Sequence, residues 1–160
     1  NETLENCPSK IIRLLCEMTE IDILKKYNQT NQFGRFLGLK LKVISPGEVN
    51  YYVKVKEDHL ATLNSAHGGF LSAIFDQIVG TAALSKSLLE NKVVATVELK
   101  INFLKPAFLD DDLVGKGKVV SSGKRLYTVD GKIYNQNKDL LALGIATLNA
   151  YPFEKSDMNF

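Results

Sequence analysis

Residues 67–87 read HGGFLSAIFDQIVGTAALSKS, and this stretch decides the fold. Its apolar residues recur at steps of three and four and cover most of the circumference of a helix. These positions are Phe70, Leu71, Ile74, Phe75, Ile78, Val79, Ala82, Ala83 and Leu84. A helix that is apolar nearly all round is a buried helix. The stretch therefore predicts a central helix around which the rest of the chain packs.

The start of this helix has the features of a binding site. The first amide N–H groups of a helix have no intrahelical acceptor, and Gly68 and Gly69 would let a ligand approach them closely. Because the positive end of the helix dipole lies there too, both glycines are candidate positions for holding a polarised oxygen. His67 could serve as a base, but its place before the helix favours a ring hydrogen bond that braces the turn.

Asp76 is the one acidic residue within the apolar pattern, and it follows Phe75 and precedes Ile78 by two positions. A carboxylate in apolar surroundings is costly unless it has a partner or a function. Asp76 is therefore the main candidate for catalysis, and a carboxylate satisfied by a structural neighbour is the alternative. Ser72 and Gly80 lie one turn to either side, and their small size predicts a groove beside the carboxylate.

Composition excludes several classes of protein. The chain has 160 residues, 45% of them hydrophobic and 24% charged, which fits a single domain. Its formal net charge of +2 gives no indication of binding to nucleic acid or to a membrane surface. The first nine residues do not resemble a signal peptide, and no apolar run reaches the roughly 18 residues of a membrane span. We expect a cytoplasmic protein.

The two cysteines and two histidines do not have the spacing of a disulfide framework or a metal site. Cys7 and Cys16 are nine residues apart and do not form a CxxC pair, so we expect both to be reduced. Neither His59 nor His67 pairs with a cysteine or an acid at the spacing of metal ligands. We therefore predict that the protein binds no metal.

The chain before the central helix predicts helices and then a hairpin. Apolar spacing predicts an N-terminal helix or pair of helices from Ser9 to Tyr27, which the polar residues 28–31 interrupt. Apolar residues then alternate with polar ones over 39–43 and 49–55, on either side of the turn Ser45-Pro46-Gly47. This alternation is typical of a half-buried β-hairpin.

The chain after the central helix predicts four antiparallel strands. They cover residues 96–103, 113–121, 125–135 and 140–150. Asp130-Gly131 indicates either a bulge or a misplaced strand end, and the tail beyond Pro152 is expected to fray. Alternation places Thr96 on the more polar face of its strand. Helix, hairpin, buried helix and four strands together predict an α+β fold whose sheet curves around the apolar helix.

This order, and the sequence from His67 to Asp76, resemble the hotdog-fold acyl-CoA thioesterases, in the phenylacetyl-CoA thioesterase-like branch. Further matches are Thr96 and the strand that ends Asn102-Phe103-Leu104-Lys105-Pro106-Ala107. The resemblance covers about residues 36–150. It leaves residues 1–35 as an N-terminal helical extension and residues 151–160 as a tail.

The resemblance implies roles for several residues. The Gly68 amide would hold the thioester carbonyl, Asp76 would attack it or activate a water, and the Thr96 hydroxyl would position that water. Gly69 and Ser72 would contribute to substrate binding. Thioester hydrolysis of this kind needs no cofactor beyond the coenzyme A that the substrate carries. Whether Asp76 is nucleophile or general base stays open.

Two other segments bear on the substrate. The family often has His-x-Asn-x-x-Gly-x-x-His-Gly-Gly, and here Ala61 replaces the asparagine while Asn64 replaces the glycine. Asn64 could supply an amide from this neighbouring position. The turn Gly123-Lys124-Arg125 offers open backbone and two cations, and the resemblance places the corresponding turn near the nucleotide phosphates. A solvated surface is the alternative for this turn.

Two other functions compete with hydrolysis. A non-catalytic acyl-CoA binding protein is favoured by Ala61, and a hotdog dehydratase is disfavoured because those proteins lack the two glycines after the histidine. Gly69 and Asp76 are seven residues apart, which is about 10 Å along a helix. One carbonyl would therefore be held by the helix start of one chain and attacked by Asp76 of another. This agrees with the homodimers, often paired into tetramers, that the resemblance implies.

Overall fold

The fold is a six-stranded antiparallel sheet packed on one long helix. The computed structural model describes residues 20–157. Its helices are α1 (Glu20–Thr30), α2 (Gln32–Phe36) and α3 (Gly68–Ser87). Its strands are β1 (Lys40–Ser45), β2 (Glu48–Lys54), β3 (Lys92–Phe103), β4 (Asp112–Ser122), β5 (Leu126–Tyr134) and β6 (Leu140–Pro152). Short 3₁₀ turns cover Glu57–His59, Leu88–Glu90 and Phe153–Lys155.

The strands lie in the order β1-β2-β4-β5-β6-β3, so the hairpin β1–β2 is at one edge and β3 is at the other. Every pair of neighbours is antiparallel. The predicted α+β hotdog arrangement, a curved sheet around one central helix, is confirmed. As that prediction required, α3 is buried on most of its faces, with Ile74, Phe75 and Ile78 wholly enclosed.

One position in the sheet, residue 131, must be glycine for a reason that the sequence did not reveal. Strand β5 continues through Gly131 with regular pairing to both neighbours, so the predicted bulge or strand end at Asp130-Gly131 is wrong. A Cβ atom at Gly131 would lie 2.5 Å from Cε2 of Phe75. The glycine is therefore required because α3 approaches the strand too closely for a side chain.

The N-terminal part of the described chain differs from the prediction. Helix α1 continues to Thr30, through most of the predicted break, and Asn31 follows it. Asn31 Oδ1 accepts a hydrogen bond from Gly34 N at 2.9 Å and so caps α2, a helix that the sequence did not predict. The first part of the predicted helix, together with Cys7 and Cys16, lies outside the described residues.

A second apolar cluster connects α1 and the segment after β6 to the C-terminal end of α3. It consists of Leu24, Leu84, Leu88, Val93 and Phe153, with Tyr27 packed against it. Phe153 is only 4% exposed, so the prediction that the chain frays beyond Pro152 is wrong at this residue. An apolar ring directly after the last strand has a core to enter, which fixes the chain there. Within residues 20–157, no helix is both long and apolar enough to cross a membrane.

Candidate active site

The two glycines at the start of α3 make different contacts. His67 is the N-cap residue, and its Nδ1 accepts a hydrogen bond from Gly69 N at 2.8 Å. The ring hydrogen bond predicted for His67 is therefore present. In the described part of the chain, Gly68 N has no acceptor. The exposed Gly68 amide is thus the one that can donate to a ligand, whereas the Gly69 amide caps the helix.

The loop before α3 is held by the other histidine. The His59 ring stacks on Phe70, with ring centroids 3.9 Å apart. Its Nδ1 accepts from Lys56 N at 3.1 Å, and its carbonyl accepts from His67 N at 2.8 Å. Burial lowers the pKa of His59, and the charge of Lys56 lowers it further. A neutral ring can accept the Lys56 hydrogen bond, so these contacts let His59 support the loop before α3.

Asp76 lies half-buried in the middle of α3, and Thr96 on β3 is its partner. Thr96 Oγ1 donates a hydrogen bond to Asp76 Oδ1 at 2.9 Å. The structure therefore brings together two of the residues that the resemblance indicated. Among the described residues, Asp76 Oδ2 has no donor and is free to act on a substrate or a water.

The predicted position of Thr96 on the polar face of β3 is wrong, because β3 contains a bulge. The pairing with β6 shifts register between Thr96 and Glu98, which leaves Val97 unpaired. Thr96 thereby pairs with the buried Leu148 and faces α3, although simple alternation from Leu99 would point it away. A bulge re-aims side chains in this way, and here it turns the hydroxyl toward Asp76.

Gly68 and Asp76 of one chain line two separate clefts. Gly68 lines a cleft of about 310 Å³ with Leu71 and with residues 103–107 at the end of β3. Asp76 lines a cleft of about 160 Å³ together with Thr96 and Gly80. A Cβ atom at Gly80 would meet no atom within 4 Å. The groove predicted from Ser72 and Gly80 is therefore present on the Gly80 side of Asp76, whereas Ser72 does not line this cleft.

Two further candidates from the sequence are near the start of α3. Ser72 Oγ donates to the carbonyl of Gly68 at 3.0 Å, so this hydroxyl belongs to the first turn of the helix. The Asn64 carbonyl accepts from Leu109 N at 2.9 Å, which holds its loop against the segment before β4. The Asn64 side chain is exposed and has no hydrogen bond within residues 20–157.

The turn Gly123-Lys124-Arg125 lies at the opposite end of the sheet from Gly68. Lys92 Nζ donates to the Lys124 carbonyl at 3.1 Å, and Lys92 begins β3, five residues after the end of α3 at Ser87. A 20-residue helix is about 30 Å long, so this turn is far from Gly68 of its own chain. Lys124 and Arg125 are exposed, and neither has a carboxylate partner in the described chain.

Tyr27 is a site residue that sequence reasoning missed. It projects from α1 and lines the Asp76 cleft together with Gly80 and Thr96. Burial raises the pKa of Tyr27, the nearby Thr81 hydroxyl opposes this, and the Asp76 carboxylate adds to the increase. The resemblance does not include α1, so only the apolar helical spacing before residue 28 indicated that this segment packs on the core.

Comparisons with known proteins identify similar chains. The profile of the thioesterase superfamily matches residues 63–142. Human acyl-coenzyme A thioesterase 13 is 30% identical over 107 residues, which is 66% of this chain and 74% of that protein. The PaaI protein from the phenylacetic acid degradation operon of E. coli has a similar fold, with a TM-score of 0.77 and 22% identity over 82% of this chain and 93% of that chain.

A third similar protein was solved with a ligand. It is a hypothetical thioesterase of Streptococcus pneumoniae TIGR4 with coenzyme A. The TM-score is 0.66 and the identity is 29%, with 71% of this chain and 86% of that chain covered.

Proposed function

Because this chain belongs to the thioesterase superfamily and is a thioester hydrolase, we propose that it hydrolyses acyl-CoA thioesters to a free acid and coenzyme A. The observation that carries the proposal is that the chain presents both a Gly68 amide without an acceptor among the described residues and an Asp76 carboxylate held by Thr96. These are the two groups that the reaction requires, an oxyanion donor and a carboxylate.

The roles of the groups follow from their chemistry. Gly68 N–H donates to the thioester oxygen and stabilises the negative charge that develops there. Asp76 Oδ2 either attacks the carbonyl carbon, which forms an anhydride that water then hydrolyses, or takes a proton from the attacking water. In both routes the coenzyme A thiolate leaves. Thr96 orients the carboxylate through Oδ1, and His67 fixes the turn that presents Gly68.

We place each site between two copies of the chain. Gly69 and Asp76 are about 10 Å apart along α3, and Gly68 and Asp76 line different clefts. Strand β3 is an edge strand of 12 residues whose exposed apolar side chains include Val97, Leu99 and Phe103. An exposed apolar edge of this length favours pairing with another strand. A second copy of β3 is the partner that fits a two-fold dimer.

The register of this pairing connects the two half-sites. Antiparallel pairing about an axis midway between Leu99 and Lys100 would place Thr96 opposite Phe103 of the partner subunit. Thr96 holds Asp76, and the Phe103 ring lies 3.7 Å from where a Cβ of Gly68 would be. This register would therefore bring Asp76 of each subunit close to Gly68 of the other. We accordingly propose a homodimer with two shared sites. The resemblance given above implies that two such dimers pair into a homotetramer.

Thiol release from a panel of acyl-CoAs tests the reaction. We expect Asp76→Ala to lower kcat about 10²- to 10⁴-fold without loss of the fold, because it removes the acid–base or nucleophilic group. Asp58→Ala removes an exposed carboxylate outside the site and should leave kcat unchanged. Ala61 favours a non-catalytic acyl-CoA binding protein as the second candidate. Tight binding of acyl-CoA with thiol release no faster than in buffer would establish that candidate, and water loss without thiol release would indicate a dehydratase.

Gly123, Lys124 and Arg125 are proposed to contact the phosphates of coenzyme A. The pneumococcal thioesterase with coenzyme A supports this ligand, and the exposed Lys124 and Arg125 side chains are available to bind phosphate. Replacing both with alanine should raise KM for acyl-CoA but leave KM for acyl-pantetheine, which lacks the nucleotide. Lys138→Ala, in the exposed β5–β6 turn, is the control. Equal changes in KM for the two substrates would contradict the assignment.

A further inference from the structure

The Asp76 cleft continues beyond the carboxylate into an apolar recess. Asp76, Gly80 and Leu84 lie four residues apart along one face of α3, and all three line the cleft. Val94 of β3 and Leu148 of β6 form the side toward the sheet. Leu84 and Leu148 belong to buried apolar clusters, so the part of the cleft away from Asp76 is apolar. Such a recess suits the acyl group of a thioester better than its charged coenzyme A part.

Tyr27 forms the wall of this recess on the side of the N-terminal helix. Tyr27 packs against the apolar cluster that includes Leu84. This apolar packing holds the ring against α3, so Tyr27 forms a wall of the recess.

A second contact ties the end of α1 to the same part of α3. Asn31 Nδ2 donates to Gln77 Oε1 at 2.5 Å, and Gln77 also lines the cleft directly after Asp76. Both ends of the α1 segment that carries Tyr27 thus contact the central helix, through Leu24 at one end and Asn31 at the other. The N-terminal helix is part of the site.

We infer that Tyr27 closes the acyl pocket and limits the enzyme to compact apolar acyl groups, an inference that rests on the proposed acyl-CoA hydrolysis. The cleft has about 160 Å³ of space. An apolar protein cavity of about 150 Å³ holds one benzene molecule. This volume includes the polar part of the cleft beside Asp76, so the apolar recess has room for an acyl group of at most about six carbons or a single ring, and a longer chain would meet Tyr27.

Acyl-CoAs from acetyl to dodecanoyl test this by their kcat/KM values. For the wild type we expect kcat/KM to increase with acyl-chain length up to about six carbons and to decrease for longer chains. Tyr27→Ala opens the wall and should raise kcat/KM for dodecanoyl-CoA relative to hexanoyl-CoA by about tenfold or more, since each newly buried methylene contributes a factor of about four. Tyr27→Phe keeps the ring and should keep the wild-type profile.

Two further variants separate closure of the pocket from loss of packing. Gly80→Ala fills open space in the cleft from the α3 side. In a folded protein it should shift the acyl-chain preference toward acetyl-CoA. Tyr151→Ala removes similar bulk from the same apolar cluster without lining the cleft, so its profile should match the wild type. An unchanged profile for both Tyr27→Ala and Gly80→Ala in active enzyme would overturn the inference.

Binding of non-hydrolysable S-alkyl coenzyme A thioethers, measured by calorimetry, separates this inference from the proposed reaction. Wild type should bind S-hexyl coenzyme A more tightly than S-dodecyl coenzyme A, and Tyr27→Ala should reduce that difference. This binding pattern without thiol release would contradict the proposed hydrolysis and support the pocket. Thiol release with equal binding of both thioethers by wild type would support hydrolysis and overturn the pocket.

Discussion

Gly68 and Gly69 are adjacent and identical residues, yet only one of their backbone amides is available to a ligand. The Gly69 amide is occupied by Nδ1 of His67, and the Gly68 amide has no acceptor within residues 20–157. Gly68 is also the first residue of α3, where proline is tolerated because its missing N–H is unpaired anyway. His67 has φ −67° and ψ 137°, a conformation that a following proline allows.

Gly68→Pro should therefore remove the proposed oxyanion donor and leave the helix intact. We expect kcat to fall about 10²- to 10³-fold, the usual cost of losing one such donor, with little change in the melting temperature. Gly68→Ala keeps the N–H, and its Cβ would meet Phe103 at an ordinary 3.7 Å, so this variant should retain activity. Steady-state kinetics of both variants check the prediction. Similar activity in the proline variant and the wild type would exclude this amide from catalysis.

Among single residues, the sequence predicted the candidate site residues in and next to the central helix, but it did not predict Tyr27. His67 and Asp76 could be found because the central helix places them in one local pattern. Tyr27 meets Asp76 only through the packing of α1 on α3, 49 positions along the chain. The orientation of Thr96 was predicted wrongly because a bulge reverses the alternation of a strand and leaves no clear mark in the residue types.

Strand β3 is the element on which the proposed assembly depends. Val97, the unpaired bulge residue, is 64% exposed on this edge. Val120 is a matched position, since it is the unpaired residue of a bulge in β4 and is 66% exposed. The two valines differ in place, because β4 is an interior strand and β3 is an edge strand.

Val97→Glu should separate the dimer, because two charges would be brought to one interface without partners. We expect the variant to be monomeric in sedimentation experiments and to lose nearly all activity. Val120→Glu should have the oligomeric state and activity of the wild type. A dimeric, active Val97→Glu enzyme would show that this edge of the sheet is not the interface.

The order and type of the elements around α3 could be predicted because alternation and helical spacing are local signals. Helix α2 and the packing of Phe153 were not predicted. Helix α2 has five residues and depends on the Asn31 cap, and Phe153 is fixed by Leu24 and Leu88 from distant parts of the chain. Short or terminal segments take their structure from such tertiary contacts, which periodicity does not report.

For the whole molecule, the proposed arrangement makes each site from two chains. A mixture of Asp76→Ala and Gly68→Pro subunits would then form heterodimers with one site that carries both substitutions and one site that carries neither. We expect the mixture to recover activity, up to about half that of the wild type per heterodimer, although each parent alone has a kcat at least about a hundredfold below that of the wild type. Mixed dimers, identified by native mass spectrometry, that stay inactive would place the whole site within one subunit.

Gly80 has a consequence for how far this protein can be stabilised. It lies inside a long helix with open space beside it, where glycine costs the folded state about 0.5–1 kcal/mol relative to alanine. Alanine would fit there without a clash, so selection for thermal stability alone would favour it. That same methyl group would occupy the space beside Asp76. A thermostable variant obtained at this position would therefore exchange substrate range for resistance to heat.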